Sequence, residues 1–296
     1  GLDSSTALMN SPRFLVASDP DGEHFANSIV AVQTQAPLRV LHVDLDNVYD
    51  PDAAQQARNL DQLVQRVMDM GAGTVFLQAF ADPKGDGLVH ELYFPNRHLP
   101  VRADLFNRVA WQLRTRAHAS VYAWMPVLSF ALDPKLPRVT RWDPQTGQVG
   151  LDPDQYQRLS PFDPQVRKII GEIYEDLARN SVIDGVLYHD DALLSDFEDA
   201  SPAALKAYAA HGLPTSIAAL RADPAVMQRW TRFKSRYLID FTQELTAKVR
   251  AIGGPQVQTA RNIFAEPMLN PASEAWFAQN LDDFLQTYDW TAPMAM

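Results

Sequence analysis

From Leu38 onward, short runs of adjacent apolar residues alternate with longer stretches whose apolar positions recur every three or four residues. The first apolar run, Arg39-Val40-Leu41-His42-Val43, reads as a strand that runs into Asp44-Leu45-Asp46. A helix is predicted from about Asp52 to Met70, with Leu60, Leu63, Val64 and Val67 on one face and Gly71 and Gly73 closing it. Thr74–Gln78 is the second strand. A loop broken by Pro83, Gly85, Gly87, Pro95 and Pro100 follows, and then a helix from Asp104, a suitable N-cap, to His118. Ser120–Met125 is the third strand. About thirty residues from Asp133 to Asp163 carry no periodic pattern, and loops that long usually have a task. Asp163-Pro164, a cap followed by a first-turn proline, opens a helix that reaches Asn180. Asp184–Tyr188 is the fourth strand and ends in His189-Asp190-Asp191. Helical pattern fills 202–252, Val257–Arg261 is the fifth strand, Ser273–Tyr288 is helical, and Pro293–Met296 is a last strand-like piece.

Strands separated by helices of this length predict βαβ units and a parallel sheet. An open doubly wound sheet and a barrel are both compatible with that alternation. No Gly-x-Gly-x-x-Gly follows the first strand, so dinucleotide binding on an open sheet has no support. Long loops follow strands while helix-to-strand turns are short, which suits a (β/α) TIM-like barrel working at its C-terminal rim. About six strands are visible, so the barrel is expected to be incomplete or truncated at the C-terminus. Residues 1–37 are expected to be an irregular N-terminal extension or linker, and 38–296 the barrel domain.

Composition narrows the class. Hydrophobic residues make up 46% of 296, enough for a large core. The formal net charge of -10 disfavours nucleic acid as a partner and suits a neutral or cationic ligand. With no cysteine, the chain has no disulfide framework, thiolate metal site or cysteine nucleophile. No apolar run is long enough to span a membrane, and no signal-peptide pattern opens the chain. Gly1-Leu2-Asp3-Ser4-Ser5 reads as a linker or cloning remnant.

Polar side chains gather where strands stop: Asp44 and Asp46, Gln78 and Asp82, His189, Asp190 and Asp191, Arg261 and Asn262. A barrel brings such positions to one rim. Crowded carboxyls resist joint ionisation, and a protonated and an ionised carboxyl together are what glycosidic cleavage needs. A lone strand-end aspartate usually only caps a turn; several strands ending this way favour a site. A metal held by His189-Asp190-Asp191 and His42-Val43-Asp44 is disfavoured, because neighbouring strand residues face opposite sides. No metal or cofactor is expected. No Gly-x-Ser-x-Gly elbow supports a serine nucleophile. Trp124, Trp142, Tyr156, Tyr188, Phe264 and Trp290 fall at strand ends or in the long loop and suit sugar faces, whereas Phe76, Trp111, Phe233 and Trp276 are expected in the core.

The blocks His42–Asp46, Leu77–Pro83, Phe94–Arg97, Tyr122–Val127, Arg158–Asp163, His189–Asp196 and Thr259–Phe264 together resemble glycoside hydrolase family 153. These are the C-terminal domains of the periplasmic poly-β-1,6-N-acetylglucosamine deacetylases of Gram-negative bacteria. The resemblance runs from about Leu38 to the last residue, and the family pattern continues past Met296. It implies a (β/α) barrel and an endo-acting hydrolase of the partly deacetylated biofilm polymer. It also implies a periplasmic setting, outer-membrane-associated in the full-length protein, and an N-terminal deacetylase domain that this chain lacks. Asp190 matches the family's catalytic carboxylate, and Asp191, Asp196 and Tyr156 match its sugar groove. Asp190 and Asp191 are therefore the expected catalytic pair. Asp44, Asp46, Trp124, Tyr156, His189, Asp196 and Asn262 are the expected substrate contacts. Two mechanisms stay open: substrate assistance by the 2-acetamido group, or a carboxyl pair of Asp190 with Asp44 or Asp46. The rival function is a non-catalytic module that binds the polysaccharide and guides it during export.

Overall fold

The computed structural model describes residues 39–294, so the expected extension 1–37 and the last two residues of the chain lie outside it. Six strands form one parallel sheet: β1 (Val40–Val43), β2 (Thr74–Gln78), β5 (Ser120–Met125), β8 (Gly185–Tyr188), β9 (Gln258–Phe264) and β10 (Trp290–Met294). Their order in the sheet, β1-β2-β5-β8-β9-β10, is their order along the chain. Each new strand joins the last one laid down, as in a barrel; a doubly wound sheet would reverse direction at a switch point. The sheet also curls. Val40, Phe76, Tyr122, Leu187, Ala260 and Ala292, one from each strand, pack into a single cluster on the inner face. Gly185 makes room for this, since a Cβ there would lie 2.5 Å from the Tyr122 ring. Tyr122 reaches past it to donate to Gln258 Oε1, which also takes Trp290 Nε1 at 3.1 Å. Among the described residues the sheet is open, since β10 pairs with β9 and not with β1, so the barrel-like curl expected from sequence is present and a closed barrel is not.

The outer face carries the larger core. Helix α1 (Ala53–Asp69) begins on Asp52, whose carboxylate takes Ala54 N–H, and buries Leu60, Val64 and Val67. Helix α2 (Phe106–Arg116) departs from expectation. Asp104 is not its cap; the cap position is Leu105, with no side-chain bond. Burial of Leu105 and Phe106 fixes this start, so packing overrides capping. Helix α3 (Pro164–Asn180) starts as predicted, with Asp163 accepting from Gln165 and Val166 N–H. The helical region 202–252 is three helices, α4 (Pro202–Ala210), α5 (Ile217–Ala222) and α6 (Pro224–Gly253). Gly212, at φ 68, ends the first, and Asp223-Pro224 restarts the chain, because a residue before proline is driven into extended backbone. The predicted helix 273–288 is likewise split into α8 (Glu274–Phe277) and α9 (Leu281–Thr287), after a short α7 (Ala265–Leu269), by Ala278 at φ 53.

Helix-to-strand turns are short, while the loops after β2 and β5 each contain a two-stranded hairpin: β3 (Phe80–Ala81) with β4 (Glu91–Leu92), and β6 (Arg141–Trp142) with β7 (Val149–Gly150). The C-terminal edge of the sheet is therefore the elaborated one. Among the described residues no helix is long and apolar enough to cross a membrane. Two aromatic assignments change. Trp111 and Trp276, expected in the core, are 56% and 51% exposed, whereas Tyr188, expected near the rim, is fully buried on the outer face and bonded to Thr246.

Candidate active site

Side chains alternate along each strand, so those following the inner cluster by two residues form the next layer up. They include His42 on β1, Gln78 on β2, Trp124 on β5 and His189 just past β8. The His189 ring lies nearly parallel to Trp124, with centroids 5.3 Å apart, and its edge meets Phe80. His42 packs against the other side of this group, 5.0 Å from Trp124 and 5.1 Å from Phe76. Burial, and then the charge of His189, push the His42 pKa down to about 4. His189 goes the other way. Burial pulls its pKa down, but Asp190, Asp191 and Asp82 outweigh it, and the pKa stands above the ordinary histidine value.

The two adjacent aspartates face different surroundings. Asp191 is 1% exposed and both its oxygens are occupied: Oδ1 takes Val127 N–H, and Oδ2 takes the N–H groups of Val127, Leu128 and Ser129 at 2.8–3.1 Å. It fastens the chain leaving β5 to the end of β8. Asp190 has no backbone partner among the described residues. Its Oδ1 is 2.6 Å from His189 Nδ1, an ion-pair contact without hydrogen-bond alignment, and its Oδ2 is 3.5 Å from the Tyr156 hydroxyl. Tyr156 comes from the long loop after β5. Burial, then the charge of Asp190, raises its pKa. The Cδ1–Cε1 edge of the Tyr156 ring abuts Gly87, where a Cβ would fall 2.5 Å from those atoms, and Gly87 has φ 74. Only glycine meets both requirements.

The β1 end divides its two aspartates in the same way. Asp46 is neutralised in place: it accepts from the Tyr93 hydroxyl, pairs with Arg102 at 2.9 Å and takes Asp82 N–H at 2.8 Å. Asp44 has no cationic partner among the described residues; its Oδ1 takes Asp46 N–H and Gln78 Nε2. Burial raises its pKa, the charges of Asp46 and Asp82 add to this, and the bond from Asp46 N–H and the charge of Arg102 oppose it. Asp82 is half-buried and takes Gly87 N–H at 3.1 Å.

Neither of the remaining expected residues has a hydrogen bond or ion pair to Asp190 among the described residues. Asp196 is paired with Arg221 at 2.5 Å, and Asn262, 3% exposed, donates weakly to the Ala292 carbonyl on the inner face of β9. Sequence reasoning gave no role to Tyr93, Arg102, Gly87 or Arg158. Gly87 stood only among the loop breakers, and Arg158 only at the head of the block Arg158–Asp163 that carries the family resemblance. No cluster of three or more His, Asp or Glu able to hold a metal occurs among the described residues.

A curled parallel sheet with carboxyls, imidazoles and an indole at its C-terminal edge defines the class of barrel-like α/β domains that carry their sites on that edge. A profile described as hypothetical glycosyl hydrolase family 13 matches residues 42–296, and the chain belongs to that family. It is 55% identical over its whole length to the poly-beta-1,6-N-acetyl-D-glucosamine N-deacetylase of Escherichia coli K12, and spans 44% of the length of that relative. Among solved structures it is similar to the glycoside hydrolase domain of PgaB (BpsB) from Bordetella bronchiseptica, with 53% identity and a TM-score of 0.81 over 87% of this chain and 74% of that one. It also shares its fold with an alpha-L-fucosidase of Paenibacillus thiaminolyticus, at 16% identity and a TM-score of 0.50 over 76% of this chain and 32% of that one.

Proposed function

We propose that this domain is an endo-acting glycoside hydrolase that cleaves partly deacetylated poly-β-1,6-N-acetyl-D-glucosamine by carboxylate acid/base catalysis. The observation that carries the reading is the setting of Asp190. It is the strand-end carboxylate held by side chains alone, between the His189 imidazole and the Tyr156 hydroxyl, beside a Trp124 face. Asp190 acts at the glycosidic bond. Asp44, whose carboxyl is biased towards its protonated form and has no cationic partner among the described residues, is the second carboxyl of the pair. Asp191 is a positioning residue, since both its oxygens are spent on the loop after β5. His189 and Trp124 line the sugar site, and Asp46, Asp196 and Asn262 shape its walls.

The substrate class rests on the relatives and on charge. A glucosamine unit carries an ammonium near neutral pH, which an acidic rim on a chain of net charge -10 attracts and a fully acetylated unit does not offer. The deacetylase named among the relatives is more than twice as long as this chain, so we assign deacetylation to the part not present here. We place the longer protein in the periplasm at the outer membrane. Incubation of the domain with partly deacetylated polymer, followed by mass spectrometry, is expected to give shorter oligosaccharides with new reducing ends. Association without shorter products would instead make it a binding module that guides the polymer.

A further inference from the structure

We propose that Arg158, through its buried pair with Glu198, is a positioning residue that sets the Tyr156 hydroxyl against Asp190. The proposal rests on the hydrolase reading above.

The Arg158 side chain is 1% exposed and that of Glu198 0%. One guanidinium spans two loops. On the side of the long loop after β5, Nε donates to the Tyr156 carbonyl at 3.0 Å. On the side of the loop after β8, Nη1 donates to the Leu193 carbonyl at 2.5 Å and Nη2 to Glu198 Oε2. Glu198 passes the restraint back, because its other oxygen takes Ser195 N–H at 3.0 Å. Lys234, from α6, fixes the same loop by donating to the Ser195 and Glu198 carbonyls, both at 2.7 Å. Tyr156 is two residues from Arg158 in the chain, and Leu193 is three from Asp190. The pair thus links the loop that carries the hydroxyl to the strand end that carries the carboxylate, closer in the chain to both than the Ser160–Asp199 and Thr140–Ala200 bonds that also join the two loops.

Stability alone gives no reason for such a pair. Desolvating two charges offsets most of their attraction, and apolar replacements of buried pairs are often neutral or stabilising. What a planar guanidinium adds is geometry: several donors in one rigid plane fix two backbone carbonyls and a carboxylate at once. Neither member of the pair has a hydrogen bond or ion pair to Asp190, and the proposed route to turnover is the one through Tyr156; a route through the Leu193 carbonyl instead would leave the losses from the pair and from Tyr156 independent.

The test is a cycle between Arg158→Met/Glu198→Gln, which removes the buried charge and keeps an acceptor for Ser195 N–H, and Tyr156→Phe. Each is expected to lower kcat about tenfold to a hundredfold, the range for losing one hydrogen bond to a charged group, with KM little changed. Combined, they are expected to cost no more than either alone. Independent, multiplying losses would overturn the proposal, since a merely structural pair would not depend on the Tyr156 hydroxyl. Should the pair replacement unfold the domain, Arg158→Lys, which keeps the charge against Glu198 but cannot reach all three acceptors, is read in the same cycle. A crystal structure of the folded variant decides independently of turnover, and so separates this proposal from the hydrolase reading. The Tyr156 hydroxyl is expected to have left Asp190, and an unmoved hydroxyl would overturn the assignment.

Discussion

Asp190 and Asp191 are neighbours in sequence with opposite fates, and hydrogen-bond accounting explains the difference. A carboxylate that takes several backbone N–H groups has its lone pairs committed. That describes Asp191. Asp190 meets only side chains, which a substrate can rearrange. The sequence showed that His189-Asp190-Asp191 ends a strand, but not which oxygen finds which partner, because the partners arrive from about 34 and 63 residues away in the chain. The same limit hid the neutralisation of Asp46 by Arg102, 56 residues on. His42 yields a prediction at this scale. Its pKa falls from 6.5 unfolded to about 4 folded, so the fold favours the neutral ring. Its contribution to stability is complete above about pH 6.5 and is lost as pH falls towards about 4. Urea titrations of wild type and His42→Phe, compared across that window, should show wild type losing more stability on acidification than the variant. Parallel losses would contradict the assignment.

At the scale of elements, strands and helix starts with strong local signals were legible. Thr74–Gln78 and Ser120–Met125 are strands at the predicted bounds, and α3 begins at Asp163-Pro164. Apolar runs buried on both faces and a cap followed by proline are local physics. What failed depended on packing or on a single φ angle: Asp104 lost to buried Leu105, and two long helices broke at Gly212 and Ala278. The loops on the C-terminal edge gain order from individual tethers, of which Asp191 is the strongest candidate. Replacing Asp191 with alanine leaves three buried N–H groups unpaired. At about 1–3 kcal/mol for each unsatisfied group, partly relieved by relaxation, the expected loss is about 3 kcal/mol. Thermal unfolding checks this. A loss below about 1 kcal/mol would mean that the tether is not needed.

At the scale of the molecule, chain-order pairing and one inner residue from each of six strands make an open, curled barrel with one elaborated edge. Sequence gave the strand count and parallel sense, because apolar runs and helix lengths are periodic signals. It could not give closure, which depends on how strands meet across the whole sheet. Charge is a property of this scale as well. If the substrate is the partly cationic polymer proposed above, a net charge of -10 would attract it through long-range fields that salt screens within about 10 Å at 0.1 M. Calorimetric affinity for a deacetylated oligosaccharide should fall as ionic strength rises, while affinity for a fully acetylated one stays weak and nearly constant. Equal salt dependence for both would remove the electrostatic account of selectivity.

The central claim is that Asp190 performs the cleavage rather than only shaping the groove. Replacing it with asparagine keeps the volume and nearly all the packing while removing the carboxylate. Binding and turnover measured on the same Asp190→Asn protein, with partly deacetylated polymer, test this most directly. The account predicts retained oligosaccharide binding with product formation reduced by at least about a hundredfold, the scale of losing an acid/base group. Cleavage at the wild-type rate would contradict it.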